Sequence, residues 1–333
     1  MKVIVQKDIY HKGQPAFDRA GMELFIYDRL EPEKMLRCQK KTATKCFILG
    51  ADSYPESFFN QLQENSLIAR FGVGYDAIPL DICKKRKIFV SFTPGTLDDS
   101  VAELAIGFML SLARRIPEAD CMVKHAQWGA KAGFELQGKT LAIIGFGKIG
   151  RKVAAIAKNG FGMKINAFDI NASQFDRGDL AILSDSFEEC VKDADFVSLH
   201  MPMNQENFNF INEKTLKMMP QNAFLINTAR GKVIDEDALY NAVSAGEIAG
   251  AALDVYHNEP YLPSGTKDLR ELPNVVLVPH IGSNTDEAHN KMAESCIRSV
   301  AHFYEDELDK VELIPEIKEF FKYSTDIMSA QYQ

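Results

Sequence analysis

Apolar residues along this chain fall into short runs separated by stretches with helical spacing, and the alternation occurs in two series. In the first series the runs at 3–5, 23–27, 46–49, 67–71 and 88–92 have the length of buried strands. Segments around Ala16 and at 32–39, 55–63 and 79–86 space their apolar positions as helices do. Strand–helix alternation predicts a parallel sheet covered on both faces. The alternation restarts at 141–144 and continues through 165–168, 181–183, 196–199, 223–226, 251–255 and 275–278, enough strands for a complete doubly wound sheet. A helical stretch at 100–114 bridges the series and another, at 286–305, follows the last strand before a charged tail. The expectation is α/β, with two doubly wound parallel-sheet domains. The first comprises 1–99 completed by 286–333, and the second comprises 100–285. The end of the tail, 323–333, carries no strong packing pattern and is expected to fray.

Composition narrows the partners. With 333 residues and 46% hydrophobic content, the chain supports a core in each of two domains. A net charge of −8 argues against nucleic acid or an anionic membrane surface as a partner. The basic run Lys84-Lys85-Arg86-Lys87 reads as a solvated helix end. The N-terminus is too short and polar-flanked for a secretory signal. The longest apolar stretch, 102–113, contains Glu103 and ends at Arg114-Arg115, whereas a membrane span needs about 20 apolar residues. It reads as a buried or subunit-interface helix. Six cysteines without CxxC spacing suit reduced thiols in the cytoplasm, and no metal site is expected.

The chemistry begins at Gly145-Phe146-Gly147-Lys148-Ile149-Gly150, which follows a buried strand and opens a helical pattern. A helix N-terminus offers free N–H groups and partial positive charge to a phosphate. Gly145 permits the turn, Gly147 lets the backbone approach a pyrophosphate, and Gly150 lets helix and strand pack closely. Asp169 ends the next strand, near the expected spacing of about 20 residues. A carboxylate there accepts both ribose hydroxyls of adenosine and repels a 2′-phosphate, so the dinucleotide is NAD. Many dinucleotide enzymes carry this loop near the N-terminus, whereas here residues 1–144 precede it.

Ligands of open α/β sheets bind beyond the carboxyl ends of strands. The polar residues there are Asp169, His200, Thr228 with Arg230, Asp254 with Glu259, and His280. A guanidinium matches a carboxylate with a planar fork, so Arg230 is the candidate substrate binder. His280 can hold and release a proton near neutrality, and a carboxylate such as Glu259 orients an imidazole and stabilises its protonated form. Hydride arriving on a carbonyl leaves an alkoxide that an acid must protonate while a cation polarises the carbonyl. His280 and Arg230 suit those roles. In the first domain, Arg70-Phe71-Gly72-Val73-Gly74-Tyr75-Asp76 follows a strand, and its glycines can expose N–H groups to an anion.

These residues, with Ser100-Val101-Ala102-Glu103-Leu104, 138–150, 195–202, Asn227-Thr228-Ala229-Arg230-Gly231, Ala252-Leu253-Asp254-Val255 and Pro279-His280-Ile281-Gly282-Ser283, resemble the D-isomer-specific 2-hydroxyacid dehydrogenase family over nearly the whole chain. The resemblance implies a flavodoxin-like substrate domain and a Rossmann NAD domain, acting on a small 2-oxo or 2-hydroxy acid. It implies Arg230 as substrate binder, His280 as acid/base with Glu259 as its partner, and the Val73 and Gly74 backbone as holders of the substrate carboxylate. Lys148 and Ile149 would lie along the pyrophosphate, His200 and Met201 near the adenosine half, and Thr228, Ala229 and Asp254 at the nicotinamide end, with Ser283 also among the cofactor contacts. It implies a homodimer built through the helix after Ser100 and the arm near Trp128. It also accounts for the displaced glycine loop, because the substrate domain comes first and is completed by the C-terminal helix. The segments 93–100 and 113–115 are most similar to the glyoxylate/hydroxypyruvate reductase branch. Many members of that branch prefer NADPH and place cations where this chain has Phe168-Asp169-Ile170-Asn171. A phosphite oxidase would carry lysine at Val73. A second reading stays open, an NAD(H)-sensing binding protein like the family's corepressors.

Overall fold

The computed structural model describes residues 1–129, 131–171, 180–263 and 265–330, the last eight of these (323–330) by backbone alone. The chain divides into two compact units, Met1–Leu97 with Asn284–Gln333, and Asp98–Ser283. Among the described residues no helix is long and apolar enough to cross a membrane.

The first unit is built on a parallel sheet of β1 (Lys2–Gln6), β2 (Glu23–Tyr27), β3 (Cys46–Leu49), β4 (Leu67–Arg70) and β5 (Phe89–Ser91), in the order β2-β1-β3-β4-β5. β3 and β4 are buried at every position, which is why they read as continuous apolar runs rather than alternating ones. β2 lies at the edge and leaves Ile26 exposed. Strand order reverses between β1 and β3, the flavodoxin-like arrangement. The helix Asp286–Tyr304 packs on β4, so the C-terminal segment completes this unit.

Two short helices, Lys7–Lys12 and Ile116–Lys124, escaped the periodicity reading, and so did a longer one at the C-terminus. The stretch read as a charged tail forms a helix, Pro315–Ala330. Its apolar positions explain this: Ile314 and Ile317 are fully buried, and Phe321 stacks on Phe89 with ring centroids 4.3 Å apart, a spacing of three and four. The charged side chains Glu316, Lys318 and Glu319 lie on the exposed side and had masked that stripe. Of the segment expected to fray, 323–330 continues this helix and 331–333 lie outside the described residues.

The second unit carries a seven-stranded parallel sheet: β6 (Thr140–Ile144), β7 (Lys164–Phe168), β8 (Ile182–Leu183), β9 (Phe196–Leu199), β10 (Phe224–Asn227), β11 (Gly250–Leu253) and β12 (Val275–Leu277). The order is β12-β11-β10-β9-β6-β7-β8, a Rossmann sheet whose direction of winding reverses between β6 and β9. Register decides what shares the rim. Ile144 pairs with Phe168 and with Leu199, Leu199 with Asn227, and Asn227 with Leu253. The residues that follow, Gly145, Asp169, His200, Thr228 and Asp254, therefore form one row at the carboxyl ends of five strands. The helix Asp98–Ala113 packs against the helix Lys148–Phe161 on one face of this sheet, burying Ala102, Ala105 and Met109 completely.

Candidate active site

The glycine loop begins the row, and each of its glycines answers a different demand. Gly145 has φ +95°, and a Cβ there would stand 2.7 Å from the His200 carbonyl carbon. A Cβ on Gly150 would stand 2.2 Å from the Gly145 oxygen, which fixes how closely helix and strand approach. Among the described residues, a Cβ on Gly147 would meet nothing within 4 Å. This glycine is also the N-cap of the helix Lys148–Phe161, and no side chain among the described residues caps that end. The protein's own packing thus requires the outer glycines, while the middle one leaves open a space beside uncapped helical N–H groups, as a pyrophosphate needs. Lys148 is exposed at this end and Ile149 packs partly on the core.

Asp169 supports the loop as well as facing the rim. Its Oδ2 accepts the Phe146 N–H at 2.7 Å and its Oδ1 the Asn171 N–H at 2.8 Å, leaving each oxygen a lone pair for a hydroxyl. Further along the row, His200 shares a 2.8 Å hydrogen bond between Nε2 and Ser198 Oγ. Burial pulls its pKa down to about 4, so the ring is neutral near pH 7. Met201 is buried in the core, so its side chain packs beneath the rim. Thr228 is buried and its Oγ1 has no hydrogen-bond partner among the described residues, an orphan that a ligand amide or hydroxyl would satisfy.

The loop carrying Arg230 is braced by Asn227, whose role the sequence reading missed. Its Nδ2 donates to the Arg230 carbonyl at 2.9 Å and its Oδ1 accepts the Ala229 N–H at 3.0 Å. The available signal was a polar residue closing an apolar strand, because a fully buried amide must find partners. Arg230 Nη1 donates to the Ala229 carbonyl at 2.7 Å. Gly231 then passes so close to Tyr256 that a Cβ would overlap its backbone at 1.8 Å, which brings the Arg230 loop onto the segment leading to Glu259.

That segment meets His280. His280 Nδ1 lies 2.7 Å from Glu259 Oε2, and Glu259 Oε1 accepts the Tyr256 N–H at 3.1 Å. Tyr256, also missed, donates its hydroxyl to the Val278 carbonyl at 2.8 Å and so ties the His280 turn to the same segment. Burial pushes the Glu259 pKa up, but the His280 hydrogen bond and charge, the Tyr256 amide and the Arg230 charge outweigh it and hold the carboxyl below its ordinary value. Since Glu259 occupies Nδ1, Nε2 is the ring nitrogen left for proton exchange with a ligand.

Asp254, expected at the nicotinamide end, also braces the neighbouring turn. It is 1% exposed, and its Oδ1 and Oδ2 accept the Ile281 and Gly282 N–H groups at 2.6 and 2.8 Å. It anchors the turn in which His280 adopts φ +53°. Burial raises its pKa and the two amides only partly offset that. Ser283 follows this turn, half-buried. In the first unit, Val73 and Gly74 are half-buried in the loop after β4, and no described residue accepts their N–H groups. Among the described residues one group has metal-ligand geometry, His302 with Glu305 and Glu307. It lies near the surface in the first unit, and Lys310 Nζ already pairs with Glu307 at 2.7 Å.

Residues 106–282 match the family model described as D-isomer specific 2-hydroxyacid dehydrogenase, NAD binding domain. The chain is 38% identical over 317 residues to a glyoxylate reductase of Thermococcus litoralis, covering 92% of this chain and 95% of that one. Among solved structures it resembles a glyoxylate reductase from Paecilomyes thermophila, with TM-score 0.80 and 28% identity, covering 95% of this chain and 98% of that one. It also resembles a D-lactate dehydrogenase from Aquifex aeolicus complexed with NAD and lactic acid, with TM-score 0.78 and 28% identity, covering 94% and 99%.

Proposed function

The chain belongs to the D-isomer specific 2-hydroxyacid dehydrogenase family, and we propose that this member uses NADH to reduce a small 2-oxo acid to its D-2-hydroxy acid, with glyoxylate and hydroxypyruvate the first candidates. One observation carries the assignment of roles: the 2.7 Å contact between His280 and Glu259, on the same sheet rim as the glycine loop and with Arg230 close enough to act on Glu259. NADH, when bound, supplies the hydride. His280 delivers a proton from Nε2 to the oxygen that becomes the hydroxyl. Glu259 holds the imidazole by Nδ1 and stabilises its protonated form. Arg230 binds the substrate carboxylate and polarises the adjacent carbonyl. In the first unit, the Val73 and Gly74 N–H groups are the candidate receptor for a substrate carboxylate. Asp169 accepts ribose hydroxyls and disfavours a 2′-phosphate, Gly147 with Lys148 and Ile149 admits the pyrophosphate, and Thr228 Oγ1 supplies a polar contact.

The reading extends to location and assembly. Six free cysteines, five of them buried, suit the cytoplasm. Ile116, Val123 and Trp128, exposed by 50, 58 and 93%, suit a homodimer through this arm. Sedimentation should report twice the chain mass, and Trp128→Ser should shift it toward the monomer.

The test of function is NADH oxidation with glyoxylate, hydroxypyruvate, pyruvate and branched 2-oxo acids in turn. Turnover with at least one, yielding the D-hydroxy acid, is expected. Silence across the panel would overturn the reading in favour of a dinucleotide-binding protein.

A further inference from the structure

We propose that the buried guanidinium of Arg70 shapes the loop 71–74 into an anion receptor, which makes Arg70 a positioning residue for the substrate carboxylate; the second half rests on the reading that Val73 and Gly74 take that carboxylate.

Most backbone groups of the loop already have partners. Arg70 closes β4 and is only 8% exposed, so its side chain stays beneath the loop that follows it. Its Nε donates to the Gly74 carbonyl at 2.7 Å, and its Nη1 donates to the Phe71 carbonyl. One planar fork thus collects two carbonyls three residues apart, which the single ammonium of lysine does not reproduce. The Phe71 N–H goes to the Leu49 carbonyl at 2.9 Å. Gly72 exchanges two bonds with Thr93, its N–H to Oγ1 and its carbonyl to the Thr93 N–H, each at 3.1 Å. The N–H groups that remain are those of Val73 and Gly74, and adjacent N–H groups left over while carbonyls are held away make an anion-binding concavity.

Gly72 shows that the loop is fitted to the guanidinium. It has φ +137°, a region where side chains are strained, and a Cβ there would stand 2.9 Å from Arg70 Nη1 and 3.2 Å from Cζ. Beyond Gly74, Tyr75 fastens the outgoing chain, its hydroxyl 3.2 Å from Glu316 Oε2 and its ring edge-on to Phe92. The next helix, Leu80–Lys85, starts well past the loop. Helical alignment therefore does not orient these N–H groups, and the guanidinium does.

The test uses the full-length protein with Arg70→Met, Arg70→Lys and Gly72→Ala. Hydrogen exchange of the peptide spanning 71–76 should accelerate about tenfold or more in Arg70→Met, without matching acceleration in the glycine loop at 145–150. KM for the 2-oxo acid should rise about tenfold or more while kcat and the NADH dissociation constant stay within about twofold, with Arg70→Lys intermediate. Gly72→Ala, which keeps the guanidinium but disturbs its seat, should give the same split, and with Arg70→Lys it carries the test if Arg70→Met does not fold. Unchanged exchange at 71–76 overturns the clamp, and a fall in kcat with KM unmoved overturns the positioning role. If the unaltered protein reduces no 2-oxo acid, the functional reading fails by itself. Exchange then still decides the clamp, and oxalate binding, weakened in Arg70→Met if the proposal holds and unchanged if it does not, decides the anion receptor.

Discussion

Two glycine loops follow parallel strands in this molecule, one after β6 in the second unit and one after β4 in the first, and they present N–H groups by different means. The loop at Gly145–Gly150 borrows its order from a helix: the N–H groups belong to the first turn of a 14-residue helix whose end no side chain among the described residues caps. The loop at 71–74 has no such helix, and its carbonyls are gathered by a buried guanidinium. A helix terminus brings aligned peptide dipoles and suits a pyrophosphate. A side-chain clamp presents a pair of N–H groups and suits one small carboxylate. The difference also separates binding from reaction, because neither loop carries a group that moves a proton.

That separation is tested most severely by His280→Gln. Turnover should fall by about 10²–10⁴ while NADH binding, followed by fluorescence, stays within a few fold. Surviving turnover would move the proton donor elsewhere. The next contrast sets Gly147→Ala against the Gly72 substitution. The Cβ at Gly147 enters open space, so thermal stability should hold while NADH affinity drops about tenfold or more. Gly72→Ala should instead lower the melting temperature without a cofactor effect, because a positive-φ site costs on the order of 1–3 kcal/mol. If both variants behaved alike, the two loops would not differ as described.

Asp169→Ala should reduce the preference for NADH over NADPH by about tenfold, measured as a ratio of kcat/KM, and should also weaken NADH binding because the Phe146 N–H loses its acceptor. The smallest effect concerns His200. Its folded pKa, near 4, lies below the ordinary 6.5. The unfolded chain therefore binds the proton more readily between those values, and stability rises with pH across that window and is lost as pH falls through it. That displacement sets a ceiling of about 3 kcal/mol, less to the extent that water reaches the half-buried ring. Urea melts at pH 7 and pH 4.5 should show a smaller loss for His200→Asn than for the unaltered protein; equal losses would refute the assignment.

Much of the fold was legible because a buried parallel strand announces itself over four or five residues. The runs at 46–49, 196–199 and 223–226 are such, and they coincide with or overlap the strands Cys46–Leu49, Phe196–Leu199 and Phe224–Asn227. The helix Pro315–Ala330 was not legible, since Ile314, Ile317 and Phe321 are diluted by exposed charges and their stripe matters only once there is a surface to meet it. At the site, the glycines and the identities of Arg230, Glu259 and His280 could be read from position at strand ends. The bracing role of Asp254 was not legible, because its row position alone does not show that its oxygens accept the Ile281 and Gly282 amides.

The amino-acid sequence by itself determined the order of the strands, the glycine loop with Asp169, and the chemical types available on the rim, because these depend on periodicity and on neighbours a few positions away. The tertiary structure alone decided the partnerships. Glu259 reaches His280 across 21 positions, Tyr256 ties both to Val278, and Arg70 turns back under the loop that follows it. Hydrogen bonds are short and directional, so which polar groups satisfy one another follows from where strand register and crossovers place them rather than from their spacing along the chain.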